Sequence, residues 1–234
     1  MNILAVIPAR GGSKGIPKKN LKEVCGKSLV SHALNCAFGS KYKMDVVVST
    51  DSLEILEHAK LMGYGGEYIR PQNLAQDDSN TVDAVLDVLS WAAKKFNKQY
   101  DLVVLLQPTS PLRLPSDLDA SLDLFFSSEN ATSLISVNPM HEHPVECLAS
   151  SPNEWTYLVE PKKDYTGRQY YDQNYFFING AIYLCTCKHL LETHSFIDHK
   201  NSLLYEMPKM RAIDIDTEDD LLMANYLCKK MKLI

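Results

Sequence analysis

Short apolar runs alternate with stretches of helical periodicity over most of the chain. Five runs predict buried strands because they are short, rich in β-branched residues and bounded by turn formers: residues 3–8, 45–50, 101–107, 132–137 and 181–185. Four stretches between them carry helical spacing: residues 28–38, 52–62, 81–96 and 116–126. This alternation predicts an α/β fold with a mostly parallel, doubly wound sheet, in which ligands bind at the carboxyl ends of the strands.

Two helix starts carry capping signals. Asp51 follows the second predicted strand and precedes Glu54 by three residues, and Thr217 precedes Asp220 by the same distance. Both pairs resemble capping boxes, in which a short polar side chain and an acid satisfy the first amide groups of a helix. "CGKS", residues 25–28, is interpreted as the turn that leads into the first helix.

Residues 138–176 interrupt this rhythm with a long segment rich in Pro, Tyr and polar residues. Such an insertion in a compact domain is usually functional or makes contact with another subunit. The chain is therefore predicted to be one domain, residues 1–234, with residues 138–176 as its appendage. "HEHP", residues 141–144, lies in this segment, but without a third nearby ligand it favours surface or interface histidines over a metal site.

Composition and charge narrow the class of protein. The 234 residues are 45% hydrophobic and 23% charged, which is typical of a folded globular protein. The net charge of -5 argues against general nucleic-acid binding, which leaves a basic footprint. The first apolar run is too short for a signal peptide, and no later run approaches the roughly 20 apolar residues of a membrane helix. We therefore expect a cytoplasmic protein without a membrane segment.

The loop after the first predicted strand, "IPARGGSKGIPKKN" at residues 7–20, combines three glycines with four cations and contains no acid. The cations are Arg10, Lys14, Lys18 and Lys19. A glycine-rich turn after a strand exposes backbone amides to an anion, and lysines neutralise a phosphate chain. The sequence therefore predicts a phosphate-binding loop, the alternative being a solvated basic turn. The loop is no P-loop, because Leu21 stands where that motif requires its first glycine, and it lacks the GxGxxG spacing.

A pair of acids near the other end of the chain forms the second candidate site. In "AIDIDTEDD", residues 212–220, Asp214 and Asp216 alternate with Ile213 and Ile215. On a strand this alternation places both carboxylates on one face. Two carboxylates beside a phosphate loop suit Mg²⁺, which binds one or two carboxylates together with substrate phosphates. The alternative is a surface strand end followed by acids that favour a helix N-terminus.

Two further loops offer polar groups at the ends of predicted strands. "LLQPTSPLR", residues 105–113, contains two prolines, and Gln107 can present its amide to a ligand from this rigid support. "RPQNLAQDDSNT", residues 70–81, offers a cation and hydroxyl groups. Each loop can also be read as ordinary turn chemistry.

Several of these motifs together resemble one enzyme family. "IPARGGSKGIPKKN", "VVVSTD", "RPQNLAQDDSNT", "LLQPTSPLR", "NGAIYL" and "IDIDTEDDL" are similar, in order and spacing, to the acylneuraminate cytidylyltransferases, or CMP-sialate synthetases. The resemblance covers essentially the whole chain. It implies a Rossmann-like nucleotidyltransferase fold with a dimerisation arm at residues 138–176. It also implies a reaction of CTP with a nine-carbon 2-keto acid sugar, which gives the CMP-sugar and pyrophosphate.

The resemblance implies a role for each matching residue. The residues implied to bind the nucleotide are Arg10, Gly11, Gly12, Ser13, Lys14, Lys19, Asn20, Arg70 and Thr81. Gln107 and Asn179 would bind the sugar, and Arg168 would reach the sugar of the neighbouring subunit in a homodimer. Asp214 and Asp216 would hold Mg²⁺. Lys19, Arg10 and Asp216 are the implied catalytic residues.

The sequence departs from the sialate members at two positions. Glu146 stands where a lysine is expected near the sugar, and "FFING", with Phe177, lacks the arginine that often precedes "NG". These departures count against N-acetylneuraminate and make a less polar, di-N-acylated sugar such as legionaminate a candidate, so the expected substrate is of the N-acetylneuraminate or legionaminate type. Gly15 stands where pseudaminate-type members tend to carry a larger basic residue, which disfavours pseudaminate.

Two other functions compete with this one. The first is a 3-deoxy-manno-octulosonate cytidylyltransferase, and the uninterrupted "GGSKGIPKKN" favours the nine-carbon branch over it. The second is a catalytically silent nucleotide-binding protein. The presence of Lys19, Asp214 and Asp216 together argues against this second alternative, because a catalytically silent protein has no need for a pair of metal-binding carboxylates.

Overall fold

The structure, a computed structural model, describes residues 1–13, 15–140, 142–160 and 174–233. Its strands are β1 (Ile3–Pro8), β2 (Glu23–Val24), β3 (Lys27–Ser28), β4 (Asp45–Ser49), β5 (Leu102–Leu105), β6 (Ser133–Pro139), β7 (Leu148–Ser151), β8 (Glu154–Tyr157), β9 (Phe176–Thr186) and β10 (Ser202–Glu206). Its helices are α1 (Leu29–Phe38), α2 (Leu53–Leu61), α3 (Thr81–Phe96), α4 (Pro115–Phe126), α5 (Cys187–Thr193) and α6 (Glu218–Met231). The four predicted helices and the five predicted strands are therefore confirmed, with shifts at their ends.

The central sheet has the strand order β10-β6-β9-β5-β1-β4. β1 pairs in parallel with β4 and β5, and β10 pairs in parallel with β6. β9 runs antiparallel to both of its neighbours, β5 and β6. The prediction of a mostly parallel sheet is confirmed, with β9 as its one antiparallel strand among the described residues.

Helices cover both faces of this sheet, as alternation along β1 requires. Ala5 and Ile7 join a core cluster with the apolar sides of α1, α2 and α4. Leu4 and Val6 point the other way, into a cluster with α3 and α5. Because β1 is buried on both faces, it reads as a continuous apolar run and not as an alternating one. The doubly wound prediction is therefore confirmed.

The two capping predictions have different outcomes. The prediction for Thr217 is confirmed, because its Oγ1 accepts from Asp220 N at 3.3 Å and Asp220 Oδ2 accepts from Thr217 N at 2.8 Å. The prediction for Asp51 and Glu54 is wrong, because Ser52 caps α2 and its Oγ accepts from Ile55 N at 3.4 Å. Ser52 is one residue nearer to the helix, which leaves the carboxylate of Asp51 for a different partner.

The prediction that residues 212–216 form a strand is also wrong. Ile215 N donates to Thr109 O at 2.9 Å, so this segment crosses the loop that follows β5 instead of joining a strand ladder. Ile215 is still fully buried, in a small cluster with the apolar side of α6. Ile213 also packs against this cluster, so the two apolar positions of the predicted alternation are explained by this packing.

The described part of the arm is more regular than the sequence suggests. β6 and β9 extend into its two ends, and β7 and β8 form an antiparallel hairpin between them, with Leu148 opposite Tyr157. All residues of β7 and β8 are exposed. The predictions for Lys14, Arg168 and the central part of the arm lie outside the described residues. Within the described ranges, no helix is both long enough and apolar enough to cross a bilayer.

A buried carboxylate ties the later elements to this core. Asp117, in the first turn of α4, accepts from the Leu114 amide at 2.9 Å and from the Tyr205 hydroxyl at 3.1 Å. It also accepts two hydrogen bonds from the guanidinium of Arg211. This network fixes the chain just before Asp214.

Candidate functional site

A cavity of about 330 Å³ opens at the carboxyl ends of β1 and β5. The predicted site residues that line it are Arg10, Gly12, Ser13, Lys19, Asn20, Arg70, Thr81, Gln107, Asp214 and Asp216. Gly11 and Asn179 do not line it, and Lys14 and Arg168 lie outside the described residues. The cation-rich loop and the acidic pair therefore meet in one cavity, at the edge of the sheet that the parallel topology predicts.

The glycine-rich loop is folded against the start of α2. Gly11 N donates to Asp51 Oδ1 at 2.8 Å, and a Cβ atom on Gly11 would lie 2.9 Å from Ser52 Cβ. Asn20 Nδ2 donates to Arg10 O at 2.8 Å and holds the two ends of the loop together. The amide of Gly11 is thus occupied within the protein, whereas Gly12 and Ser13 line the cavity.

Lys19 is the cation that connects the loop to the acidic pair. Its Nζ donates to Ile215 O at 3.0 Å and to Asp216 Oδ1 at 2.9 Å. Its side chain is only 16% exposed, although that of Asp216 is 74% exposed. Lys18 instead pairs with Glu54 at 2.8 Å on the surface. The two neighbouring lysines therefore have different surroundings, and Lys19 is the one that faces the cavity.

Gly15 permits this approach of the loop to the acidic pair. A Cβ atom at Gly15 would lie 2.5 Å from the backbone oxygen of Asp216, which is closer than real Cβ contacts allow. A larger residue would therefore push the loop away from Asp216.

Asp214 lies deeper in the cavity than Asp216. Burial raises the pKa of Asp214 above its ordinary value, and a hydrogen bond from Thr109 opposes that change. The charge of Asp216 raises the pKa further, whereas the charge of Lys19 lowers it. Asp214 Oδ1 is buried and accepts no hydrogen bond from the described residues. A buried carboxylate oxygen without a donor is costly, and a cation would compensate for it.

These properties fit a magnesium ion. Carboxylate oxygens are hard ligands, and Mg²⁺ usually binds one or two carboxylates plus phosphates and water. The part of the chain that the structure describes holds no cluster of three or more His, Cys, Asp or Glu side chains suited to a metal. Asp214 and Asp216 would therefore supply two ligands, and a bound phosphate would have to supply others.

The two arginines of the cavity are held by backbone oxygens. Arg10 Nη1 donates to Gln76 O at 2.9 Å and lies 2.9 Å from Asp77 Oδ1. Arg70 is buried, and it donates to Ser49 Oγ at 3.0 Å and to Ser49 O at 2.7 Å. Arg70 is thus fixed at the end of β4, and Arg10 links the loop to the segment before α3.

Gln107 is positioned by a buried arginine and a glycine. Arg113 Nη1 donates to Gln107 O at 3.1 Å and also to Ala181 O. Gly180 has φ +74°, and a Cβ atom there would lie 2.7 Å from Gln107 Oε1. Asn179 Oδ1 accepts from Ser136 Oγ at 2.6 Å, so this side chain is buried between strands next to the cavity.

Sequence reasoning missed three residues that shape the site. Thr109 and Arg113 belong to the motif "LLQPTSPLR", which was identified in the sequence. No pattern in this motif predicts that Thr109 contacts Asp214 or that Arg113 contacts Gln107. Asp51 was assigned to a helix cap and instead binds the loop. All three act through contacts between segments that are far apart in the sequence.

A glycine- and cation-rich loop that meets an acidic pair at the carboxyl edge of a parallel sheet is an arrangement typical of α/β proteins that bind nucleotide phosphates. Residues 4–232 match the Cytidylyltransferase family, and the chain belongs to this family. The resemblance found in the sequence is therefore confirmed.

Individual relatives agree with this assignment. A CMP-N,N'-diacetyllegionaminic acid synthase of Legionella pneumophila is 35% identical over 223 residues, which cover 94% of this chain and 93% of that protein. A pseudaminic acid cytidylyltransferase of Campylobacter jejuni is 31% identical over 98% of this chain and 97% of its own length. An N-acylneuraminate cytidylyltransferase of Escherichia coli is 29% identical over 97% of this chain, which spans 52% of that longer protein.

The fold is also found in solved structures. A CMP:2-keto-3-deoxy-manno-octonic acid synthetase in complex with CTP has a TM-score of 0.70 to this chain, covering 99% of this chain and 100% of that one. The sequence identity is 17%, so this likeness concerns the fold.

The close contact at Gly180 leads to a stability prediction. Gly180→Ala is expected to lower the free energy of unfolding by about 1–2 kcal/mol, because a residue with a Cβ is strained at positive φ. Gly65→Ala is the matched control, since a Cβ atom there meets nothing within 4 Å. Urea unfolding of both variants measures the effect, and equal midpoints would contradict the described backbone at Gly180.

Proposed function

We propose that the protein is a CMP-nonulosonate synthetase, which joins CTP to a nine-carbon 2-keto acid sugar and releases pyrophosphate. The observation that carries this proposal is the contact of Lys19 with Asp216, which joins the phosphate-binding loop to the acidic pair in one cavity. Membership in the Cytidylyltransferase family supports the nucleotide half of the reaction. The two relatives that are 35% and 31% identical support the sugar half, since their names specify legionaminic acid and pseudaminic acid.

The reaction is a phosphoryl transfer, so positioning and charge neutralisation supply most of the catalysis. The anomeric hydroxyl of the sugar loses its proton to solvent as its oxygen attacks the α-phosphorus, a new P–O bond forms, and the bond to pyrophosphate breaks in line with it. Gly12 and Ser13 bind the phosphates through their amides. Arg10 and Lys19 neutralise the negative charge that grows on the departing pyrophosphate.

The remaining side chains orient the two substrates. Asn20, Arg70 and Thr81 face the cytidine, and Gln107 faces the sugar, with Asn179 behind it. Mg²⁺, when bound by Asp214 and Asp216, supplies further charge neutralisation at the phosphates. CTP is an intracellular nucleotide, which supports a cytoplasmic location.

The sugar is proposed to be of the di-N-acylated, legionaminate type. Phe177 is 57% exposed and Ile178 is 40% exposed at the start of β9, so this edge of the sheet offers apolar contacts where sialate members carry an arginine. Glu146 stands where sialate members are expected to carry a lysine, so this position supplies no positive charge for the sugar. The clash of any side chain at Gly15 with Asp216 is consistent with a loop unlike that of pseudaminate-type members. N-Acetylneuraminate is the alternative sugar.

The arm is proposed to form a homodimer. Its described hairpin exposes large apolar side chains, including Leu148 at 54%, Trp155 at 58% and Leu158 at 61%. Aromatic residues are enriched in the cores of protein interfaces, and monomeric proteins rarely expose several large apolar side chains side by side. In this arrangement Arg168 of each arm reaches the sugar of the other subunit, where a guanidinium pairs well with a carboxylate.

An assay of pyrophosphate release tests the function. With CTP, Mg²⁺ and a panel of sugar acids, we expect release with nine-carbon acids and the highest kcat/KM with N,N'-diacetyllegionaminate. ATP in place of CTP is the control for the base. Release with 3-deoxy-manno-octulosonate alone would identify the eight-carbon enzyme instead. Release with none of the acids, despite CTP binding, would identify a silent nucleotide-binding protein.

Mixing two inactive variants tests the shared site. Asp216→Asn removes a metal ligand and Arg168→Ala removes the arm's guanidinium, so each homodimer alone should be inactive. Random exchange gives mixed dimers in which one site receives both wild-type contributions, so the mixture should approach about a quarter of wild-type activity. Each variant incubated alone is the control. A chain that sediments as a monomer, or a mixture that stays inactive after confirmed exchange, would rule out the arrangement.

A further inference from the structure

The glycine-rich loop is attached to the sheet by the side chain of one acid. Gly11 N donates to Asp51 Oδ1 at 2.8 Å, although the two residues are 40 positions apart in the sequence. Asp51 lies two residues beyond the end of β4, which is the parallel neighbour of β1. The hydrogen bond therefore joins the loops that follow two adjacent strands.

Asp51 is not needed to cap the helix that follows it. Ser52 caps α2 by accepting from Ile55 N, and the Ser52 amide donates to Thr50 Oγ1 at 3.0 Å. An acid beside a site for a triphosphate is also unfavourable in itself, since like charges repel. An acid at this position therefore needs a favourable interaction that offsets this repulsion. The hydrogen bond from the Gly11 amide is such an interaction.

The packing around this hydrogen bond is tight. A Cβ atom on Gly11 would lie 2.9 Å from Ser52 Cβ and 3.7 Å from Asp51 Oδ1. The loop backbone therefore rests directly on the junction between β4 and α2. With the Gly11 amide turned towards Asp51, the adjacent Gly12 and Ser13 are the loop residues that line the cavity.

We infer that Asp51 is a positioning residue for nucleotide binding: its carboxylate holds the Gly11 amide so that the adjacent Gly12 and Ser13 face the cavity. The residue acts through the loop and is not among the described residues that line the cavity. The kinetic part of this inference rests on the proposed function, because it concerns CTP. The structural part concerns only the loop.

Three variants separate this role from others. Asp51→Ala removes the acceptor, and the KM for CTP is expected to rise by about 10-fold to 100-fold, the range for a lost hydrogen bond to a charged group. The kcat should change much less, because the loss is one of ground-state binding. Asp51→Asn keeps an acceptor oxygen of the same shape and should restore most of the affinity. Ser52→Ala keeps the Cβ atom of residue 52 that lies beside Gly11, removes only the helix-capping hydroxyl, and should lower Tm by a few degrees while KM stays unchanged.

Amide exchange of the loop gives a readout that does not depend on the nucleotide. Hydrogen exchange of the Gly11 amide should become faster in Asp51→Ala and stay close to wild type in Asp51→Asn and Ser52→Ala. Unchanged exchange and unchanged KM in Asp51→Ala would overturn the inference. Equal impairment of Asp51→Asn and Asp51→Ala would also overturn it, because charge and not the hydrogen bond would then matter. A wild-type protein that binds no CTP would refute the proposed function, and the exchange rates would still decide the role of Asp51.

Discussion

The structure depends on bringing a cationic loop and an acidic pair from opposite ends of the chain into contact. Lys19 and Asp216 are 197 positions apart, and their side chains meet at 2.9 Å. The ion pair itself contributes little to stability, because Asp216 is mostly exposed and exposed pairs are worth about 0–1 kcal/mol. Two other contacts support the approach: Lys19 Nζ also donates to the backbone oxygen of Ile215, and the absence of a side chain at Gly15 lets the loop lie against the backbone of Asp216.

The parallel sheet makes this convergence possible. β1, β4 and β5 all end at the same edge, so the loops that follow them are neighbours whatever their separation in the sequence. The network of Asp117 and Arg211 then brings the chain back to this edge just before Asp214. The result is a cavity with cations on one wall and carboxylates on the other. Such a cavity suits a nucleoside triphosphate in complex with a metal ion.

Local patterns in the sequence predicted the elements that depend on local physics. The apolar run of β1 and the Thr217 box both rest on neighbouring residues, and both are confirmed. Contacts between distant segments were not predictable in this way. The sequence around Asp51 is typical of a helix cap, and only the folded structure shows its contact with Gly11. The alternation at Ile213 and Ile215 is typical of a strand, and only the folded structure shows that Ile215 bonds to Thr109 instead. The cationic loop and the acidic pair were predicted from local patterns, whereas the individual roles of the other site residues came from motif resemblance, which already encodes such distant contacts.

Calorimetric titration with CTP measures whether the loop and the acidic pair bind one triphosphate together with its metal. In Mg²⁺, Lys19→Ala and Asp216→Asn should each weaken CTP binding by about tenfold or more, the scale of one charge-assisted contact. In EDTA, the loss in Asp216→Asn should disappear or reverse, because a carboxylate without its cation repels the triphosphate, whereas the loss in Lys19→Ala should remain. Equal losses for Asp216→Asn with and without Mg²⁺, or wild-type affinity in Lys19→Ala, would show that the loop and the acidic pair do not act on one metal-bound triphosphate.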